Sequence, residues 1–154
     1  MNTTPLSLLL LAALLPAPST AASLVRSAPL HCLAQVRAWP SSLDEERALY
    51  LCGGAPTSQG PAACFSSARA WPSSLSDERA VALCRGALEA ESPLACLAAA
   101  RPWPYSLSEP KAIALCRAAR SAAEPLACFA EARGPLGDDG AIELCGSAGP
   151  RYVR

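Results

Sequence analysis

Apolar residues recur along this chain at helical spacing, and one such pattern occurs four times. Each copy contains Ala-x-x-Leu-Cys, in which the apolar positions are three and four residues apart and therefore share one face of a helix. The four copies end at Cys52, Cys84, Cys116 and Cys145. We predict a core-facing helix, helix B, at each of these places.

A second helix, helix A, is predicted before each helix B. Each begins at a proline three residues before a cysteine, since proline is favoured at the first helical position. These prolines are Pro29, Pro61, Pro93 and Pro125. In three of the copies Trp-Pro stops helix A, and a polar turn leads to a capping residue, Asp44, Ser76 or Ser108.

The cysteines give the period of the repeat. The first cysteine of each unit falls at Cys32, Cys64, Cys96 and Cys128, in steps of 32 residues. The second follows in steps of 32, 32 and 29, which places a short deletion in the turn of the last unit. Periods of this size indicate repeat arrays. We predict an all-α fold, an array of four disulfide-stapled antiparallel helix hairpins resembling a short α-solenoid.

The predicted units are 29–60, 61–92, 93–124 and 125–149, and the last unit is expected to cap the stack. Residues 150–154 form a tail. Residues 1–22 have the pattern of a secretory signal peptide, because the apolar run from Leu6 to Leu15 is followed by Pro-Ala-Pro and small residues. Residues 23–28 would then be an N-terminal extension. We therefore expect a protein that is secreted, or that resides in the secretory lumen or a bacterial periplasm.

An even number of cysteines after a signal peptide indicates disulfides. Pairing within units would join Cys32–Cys52, Cys64–Cys84, Cys96–Cys116 and Cys128–Cys145. Pairing between units would join Cys52–Cys64, Cys84–Cys96 and Cys116–Cys128 and would leave Cys32 and Cys145 without partners. We favour the first set. Zinc is not expected, because the short Cys spacings of zinc sites are absent and His31 is the only histidine.

Charge and motifs narrow the function further. The formal net charge is zero, so no basic excess indicates nucleic acid or an anionic membrane. No Ser-His-Asp set, phosphate loop or redox Cys-x-x-Cys motif occurs. We expect no cofactor, no enzymatic activity and no stable membrane insertion.

Arginine and tryptophan recur together where helix A ends. Trp39, Trp71 and Trp103 each follow an arginine by two residues, and those arginines are Arg37, Arg69 and Arg101. These candidate binding residues would form a recognition surface if they are exposed, because Trp and Arg are enriched at binding hot spots. Alternatively, each tryptophan packs beneath its own turn and completes the hairpin core. The sequence leaves both interpretations open.

A second basic row consists of Arg47, Arg79 and Lys111. It would line a charged groove for an extended peptide or acidic ligand, or it would lie on a solvated helix face and form salt bridges with neighbouring units. We favour the salt bridges, because surface ion pairs are common.

These features favour a binding function. We expect a scaffold that presents a repeated surface to a protein or peptide, and the alternative is a secreted inhibitor or defence factor that acts through one exposed turn. The architecture is similar to helical solenoids of the tetratricopeptide and Sel1-like kind, but their motifs do not occur here.

Overall fold

Seven helices, and no strand, make up the part of the chain that the computed structural model describes, residues 20–39, 43–70 and 75–146. They are α1 (Thr20–Arg37), α2 (Glu45–Cys52), α3 (Gly60–Ala70), α4 (Asp77–Cys84), α5 (Glu91–Ala100), α6 (Glu109–Cys116) and α7 (Ala123–Cys145). The predicted all-α class is confirmed. Most of the predicted signal peptide, Trp71 and the tail lie outside the described residues.

Helix α7 contains both helices of the fourth sequence unit. Gly137 interrupts it with φ 68° and ψ 177°, which is not a helical conformation. Glycine adopts a positive φ without the steric cost that a Cβ would impose. The shortened turn of the last unit is therefore reduced to a kink at this residue.

Prolines lie in the first turn of three helices, as predicted: Pro61 in α3, Pro93 in α5 and Pro125 in α7. The prediction that Pro29 opens a helix is wrong, because α1 already begins at Thr20 and contains Pro29. The physical reason lies in the preceding residues. The Thr-Ser-Gln-Gly linker before Pro61 stops the chain from continuing as a helix, whereas no such linker precedes Pro29.

The shorter helices begin after the predicted capping residues. The Asp44 side chain accepts a hydrogen bond of 2.8 Å from the backbone N–H of Arg47, and this satisfies one free donor of α2. Ser76 and Ser108 occupy the equivalent positions before α4 and α6, but their side chains make no capping hydrogen bond.

Four disulfides join each helix A to the helix B that follows it. The pairs are Cys32–Cys52, Cys64–Cys84, Cys96–Cys116 and Cys128–Cys145, with Cα–Cα distances of 5.5 to 5.6 Å. This is the pairing within units. On a loop-entropy account, closing such a loop stabilises the fold by about 3 kcal/mol.

The helices pack in two series. Helix α1 contacts α3, α3 contacts α5 and α5 contacts α7, while α2, α4, α6 and α7 form the second series. The leucines of the Ala-x-x-Leu-Cys pattern lie between the series, and Leu51, Leu83 and Leu115 are fully buried. The prediction of a core-facing leucine is wrong for Leu144, which is 56% exposed because no further helix pair in the described part of the chain covers it.

The linkers between units also contact one another. The Thr57 hydroxyl donates a hydrogen bond of 3.2 Å to the carbonyl oxygen of Leu88 in the next linker. A Cβ at Gly60 would clash with the carbonyl oxygens of Ala87 and Leu88. Glycine at this position therefore allows two successive linkers to approach closely.

Candidate functional site

Trp39, at the end of α1, packs against the next unit. Its ring stacks on that of Phe65, with centroids 5.8 Å apart and an interplanar angle of 11°. Phe65 itself is 2% exposed, and Trp39 is half-buried. Trp39 thus helps to close the contact between α1 and α3. It is not an exposed member of a ladder.

Trp103 holds the same place in its unit but is 86% exposed, the largest exposure among the large hydrophobic side chains of the described residues. In this unit it is Tyr105, two residues later, that packs on the next unit. The Tyr105 ring lies 6.3 Å from that of Phe129, at an angle of 59°. Phe129 is the counterpart of Phe65 one residue after the first cysteine, so Tyr105 performs in unit three the packing that Trp39 performs in unit one.

The predictions from sequence did not include Tyr105 as the packed ring of unit three, although the sequence of the turn carries a signal for it. The turn of unit three reads Trp-Pro-Tyr-Ser, whereas units one and two have Trp-Pro-Ser-Ser. The additional aromatic residue competes with Trp103 for the same apolar site. Trp71, the remaining candidate tryptophan, lies outside the described residues.

The arginines that precede the tryptophans form ion pairs within their own units. Arg37 pairs with Glu45 and Arg69 pairs with Asp77. Arg101 lies 3.5 Å from a carboxylate oxygen of Glu109. Arg133 continues the series in unit four, 2.7 Å from Asp138. Each arginine thus ties the end of one helix to the first turn of the next.

Cation–π contacts among the described residues involve other partners. The Arg85 guanidinium lies 4.0 Å from the ring centroid of Tyr50, and the Arg133 guanidinium lies 5.6 Å from that of Phe129. Arg37 does not stack on Trp39, and Arg101 does not stack on Trp103.

The second basic row makes the salt bridges between units that we favoured. Arg47 lies 2.9 Å from Glu78. Arg79 pairs with Glu109, and Lys111 lies 2.8 Å from Asp139. Because each cation already has a carboxylate partner in the next unit, this row is less suited to an acidic ligand.

Two of these pairs affect protonation. The hydrogen bond to Glu45 raises the pKa of Arg37. The hydrogen bond to Asp139 likewise raises the pKa of Lys111. Arginine and lysine are positively charged at physiological pH in any case, and these ion pairs favour the charged form further.

A groove runs beside Trp39. It has a volume of about 450 Å³ and is lined by Trp39 itself and by small and uncharged polar residues of α1, of the linker before α3 and of α3, among them Gln35, Gln59, Ala62 and Ser66. A second groove of about 400 Å³ adjoins it at Gln59 and Ala63 and continues between the linkers to Glu89 and Glu91. Apart from Trp39, the sequence did not indicate these lining residues, because they belong to no repeated motif.

Two further observations concern the described residues as a whole. They contain no group of three or more His, Cys, Asp or Glu side chains arranged to hold a metal ion. None of their helices combines the length and hydropathy needed to span a bilayer.

Comparisons of this chain with protein-family models, with curated proteins and with solved structures found no match. The class is therefore defined by the fold itself, an all-α protein whose consecutive helices are linked by four disulfides.

Proposed function

We propose that this chain is a secreted, non-enzymatic binding protein, a helical scaffold that engages a protein or peptide through the turn of unit three. The four disulfides are consistent with an oxidising, extracellular environment. The observation that carries the proposal is the exposure of Trp103. A tryptophan that is 86% exposed leaves a large apolar area in water, which a partner would bury.

The neighbours of Trp103 support a contact surface at this turn. Pro102 and Pro104 are exposed on either side of it, and Arg101 is half-exposed beside them. Glu109, at the start of α6, forms salt bridges with both Arg101 and Arg79, and these hold the two ends of the turn together. The turn therefore combines an apolar side chain, a cation and restricted backbone, a composition typical of binding anchors.

A second candidate function uses the same turn. A secreted inhibitor or defence factor would act through one exposed loop, and the difference between Trp103 and the packed Trp39 favours one turn over a ladder of equivalent turns. The two functions differ in their consequence for the partner. An inhibitor would block the activity of a bound protease, whereas a scaffold would leave its partner active.

Affinity capture tests the proposal. Mature, oxidised protein is immobilised and exposed to extracellular fluid of its source, and captured proteins are identified and their affinity measured with purified components. Trp103→Ala should weaken binding by about tenfold or more, the effect expected of a hot-spot aromatic. Trp103→Phe should retain part of the affinity, because it keeps an aromatic surface at this place.

Leu88→Ala is the matched control, since it removes an exposed apolar side chain from a linker between units, away from the turn that carries Trp103. It should leave the affinity unchanged. Equal capture by the wild type and by Trp103→Ala would contradict the proposal. An assay of the captured partner, with and without this protein, then separates scaffold from inhibitor.

A further inference from the structure

The first unit exposes two leucines at positions that later units bury. Leu30 is 68% exposed and Leu49 is 51% exposed. We call these two residues the N-terminal face. Counted from the first cysteine of each unit, the counterparts of Leu30 are Ala62, Leu94 and Leu126. Counted from the second cysteine, the counterparts of Leu49 are Val81, Ile113 and Ile142. Leu94 and Ile142 are partly buried, and the other four are buried. Among the described residues no unit precedes unit one, so this face corresponds to the surface that each later unit packs against its predecessor.

The last unit shows the complementary exposure. Leu136 is 51% exposed and Leu144 is 56% exposed, and both cysteines of the Cys128–Cys145 disulfide are partly accessible. We call this group the C-terminal face. The counterparts of Leu144 in the first three units are fully buried, and the other six cysteines are at most 2% exposed. In those units a following unit covers these positions, whereas the described residues end with unit four.

We infer that the C-terminal face of one molecule binds the N-terminal face of a second copy of this chain. The two faces are the halves of a contact that the chain already makes internally, where α2 packs on α4, α4 on α6 and α6 on α7. They lie at the first and last helices of the packing series and do not meet within one molecule. A contact between two different faces of identical chains is heterologous and adds molecules head to tail.

The charges allow this contact but do not strengthen it. The formal net charge is zero, so identical molecules do not repel one another strongly. In unit four Gly140 replaces the cation that forms a salt bridge with the next unit in the other three units, where it is Arg47, Arg79 or Lys111. Unit four also lacks the Trp-Pro turn, whose aromatic residue packs on the next unit in units one and three. The contact between two molecules would therefore bury the leucines, but it would lack the salt bridge and the aromatic packing that successive units form within one molecule. It is weaker than the internal contacts, reversible, and favoured at high concentration.

Two variants that each block one face test this inference. The first carries Leu30→Glu and Leu49→Glu, and the second carries Leu136→Glu and Leu144→Glu. All four leucines are more than half exposed in one molecule, so both variants should fold, which helical circular dichroism and intact disulfides verify. Sedimentation of mature, oxidised wild type should show a mass that rises with concentration, and each variant alone should remain monomeric.

Mixing the two variants should restore a one-to-one dimer that does not grow further, because each supplies the face that the other has lost. Leu88→Glu, which changes an exposed leucine outside both faces, should associate as the wild type does. Three results would overturn the inference: a wild type that is monomeric at every concentration, self-association of either blocked variant, or a mixture that stays monomeric.

Discussion

The turns of units one and three carry a tryptophan at the same place but use it differently. In unit one Trp39 stacks on Phe65 of the next unit. In unit three Tyr105 packs on the equivalent Phe129, and Trp103 extends into solvent. One additional aromatic residue within the same turn accounts for the difference.

This comparison shows that one recurring sequence motif places tryptophan in two different environments, packed in unit one and exposed in unit three. A tryptophan that fills the junction between units contributes to the fold and is not available to a partner. Once tyrosine fills the junction, the tryptophan is free to serve another purpose. A repeated residue in an array therefore does not imply a repeated role.

The largest expected effect concerns the two phenylalanines that receive these rings. Phe65→Ala and Phe129→Ala should each lower the free energy of unfolding by about 3–5 kcal/mol, because both side chains are buried and their loss leaves a cavity. Chemical denaturation measures the loss. Phe65→Ala should also increase the quenching of Trp39 fluorescence by acrylamide, whereas Phe129→Ala should leave the quenching of Trp103 unchanged. A rise in Trp103 quenching in Phe129→Ala would contradict the claim that Trp103 does not pack on Phe129.

The tryptophans themselves should differ in their effect on stability. Trp39→Ala should lower the free energy of unfolding by about 2 kcal/mol, which combines partial burial with the stacking on Phe65. Trp103→Ala should change it by no more than about 0.5 kcal/mol, as is usual for exposed positions. Urea titrations of both variants provide the test, and equal losses would show that the two turns are packed alike.

Tyr105→Ser gives the turn of unit three the sequence Trp-Pro-Ser-Ser of units one and two. The variant should lose about 1 kcal/mol through the missing contact with Phe129. Trp103 should then move into the vacated site, so that its fluorescence shifts to shorter wavelength. The control is Tyr105→Phe, which keeps the ring and should leave the Trp103 emission as it is. An unshifted spectrum in Tyr105→Ser would refute competition between the two rings.

The smallest effect is expected at the acids that anchor the two turns. Glu109 is 16% exposed and pairs with both Arg79 and Arg101, whereas Glu45 is 57% exposed and pairs with Arg37. Glu109→Gln should cost about 1 kcal/mol and Glu45→Gln less than about 0.5 kcal/mol, with both losses shrinking at high salt. Both acids lie in the first turn of a helix, so each substitution loses a similar interaction with the helix dipole, and the difference between the two costs reports the ion pairs. Equal costs would argue that the second ion pair adds nothing.

Much of the fold could be predicted because it depends on local spacing. The bounds of α2, α4 and α6, and the ion pairs of Arg47, Arg79 and Lys111, follow from periodic apolar positions and charges at fixed distances from the cysteines. These features recur in the sequence, so each copy reinforces the others.

The remaining features depend on what lies beside a residue in space. Tyr105 displaces Trp103 because two rings compete for one site on Phe129, and the preference for one of them depends on packing. Leu144 matches a buried pattern but is exposed, because no helix pair among the described residues covers it. The early start of α1 likewise reflects the missing linker, which a periodic pattern does not include.

Quenching of single-tryptophan proteins tests the division between the two turns most directly. One protein retains only Trp39 and the other only Trp103, with the remaining tryptophans changed to phenylalanine. Because Trp39 is stacked on Phe65 and Trp103 is 86% exposed, acrylamide should quench Trp103 several-fold more strongly, and its emission should lie at longer wavelength. Equal quenching and equal emission maxima would contradict the account.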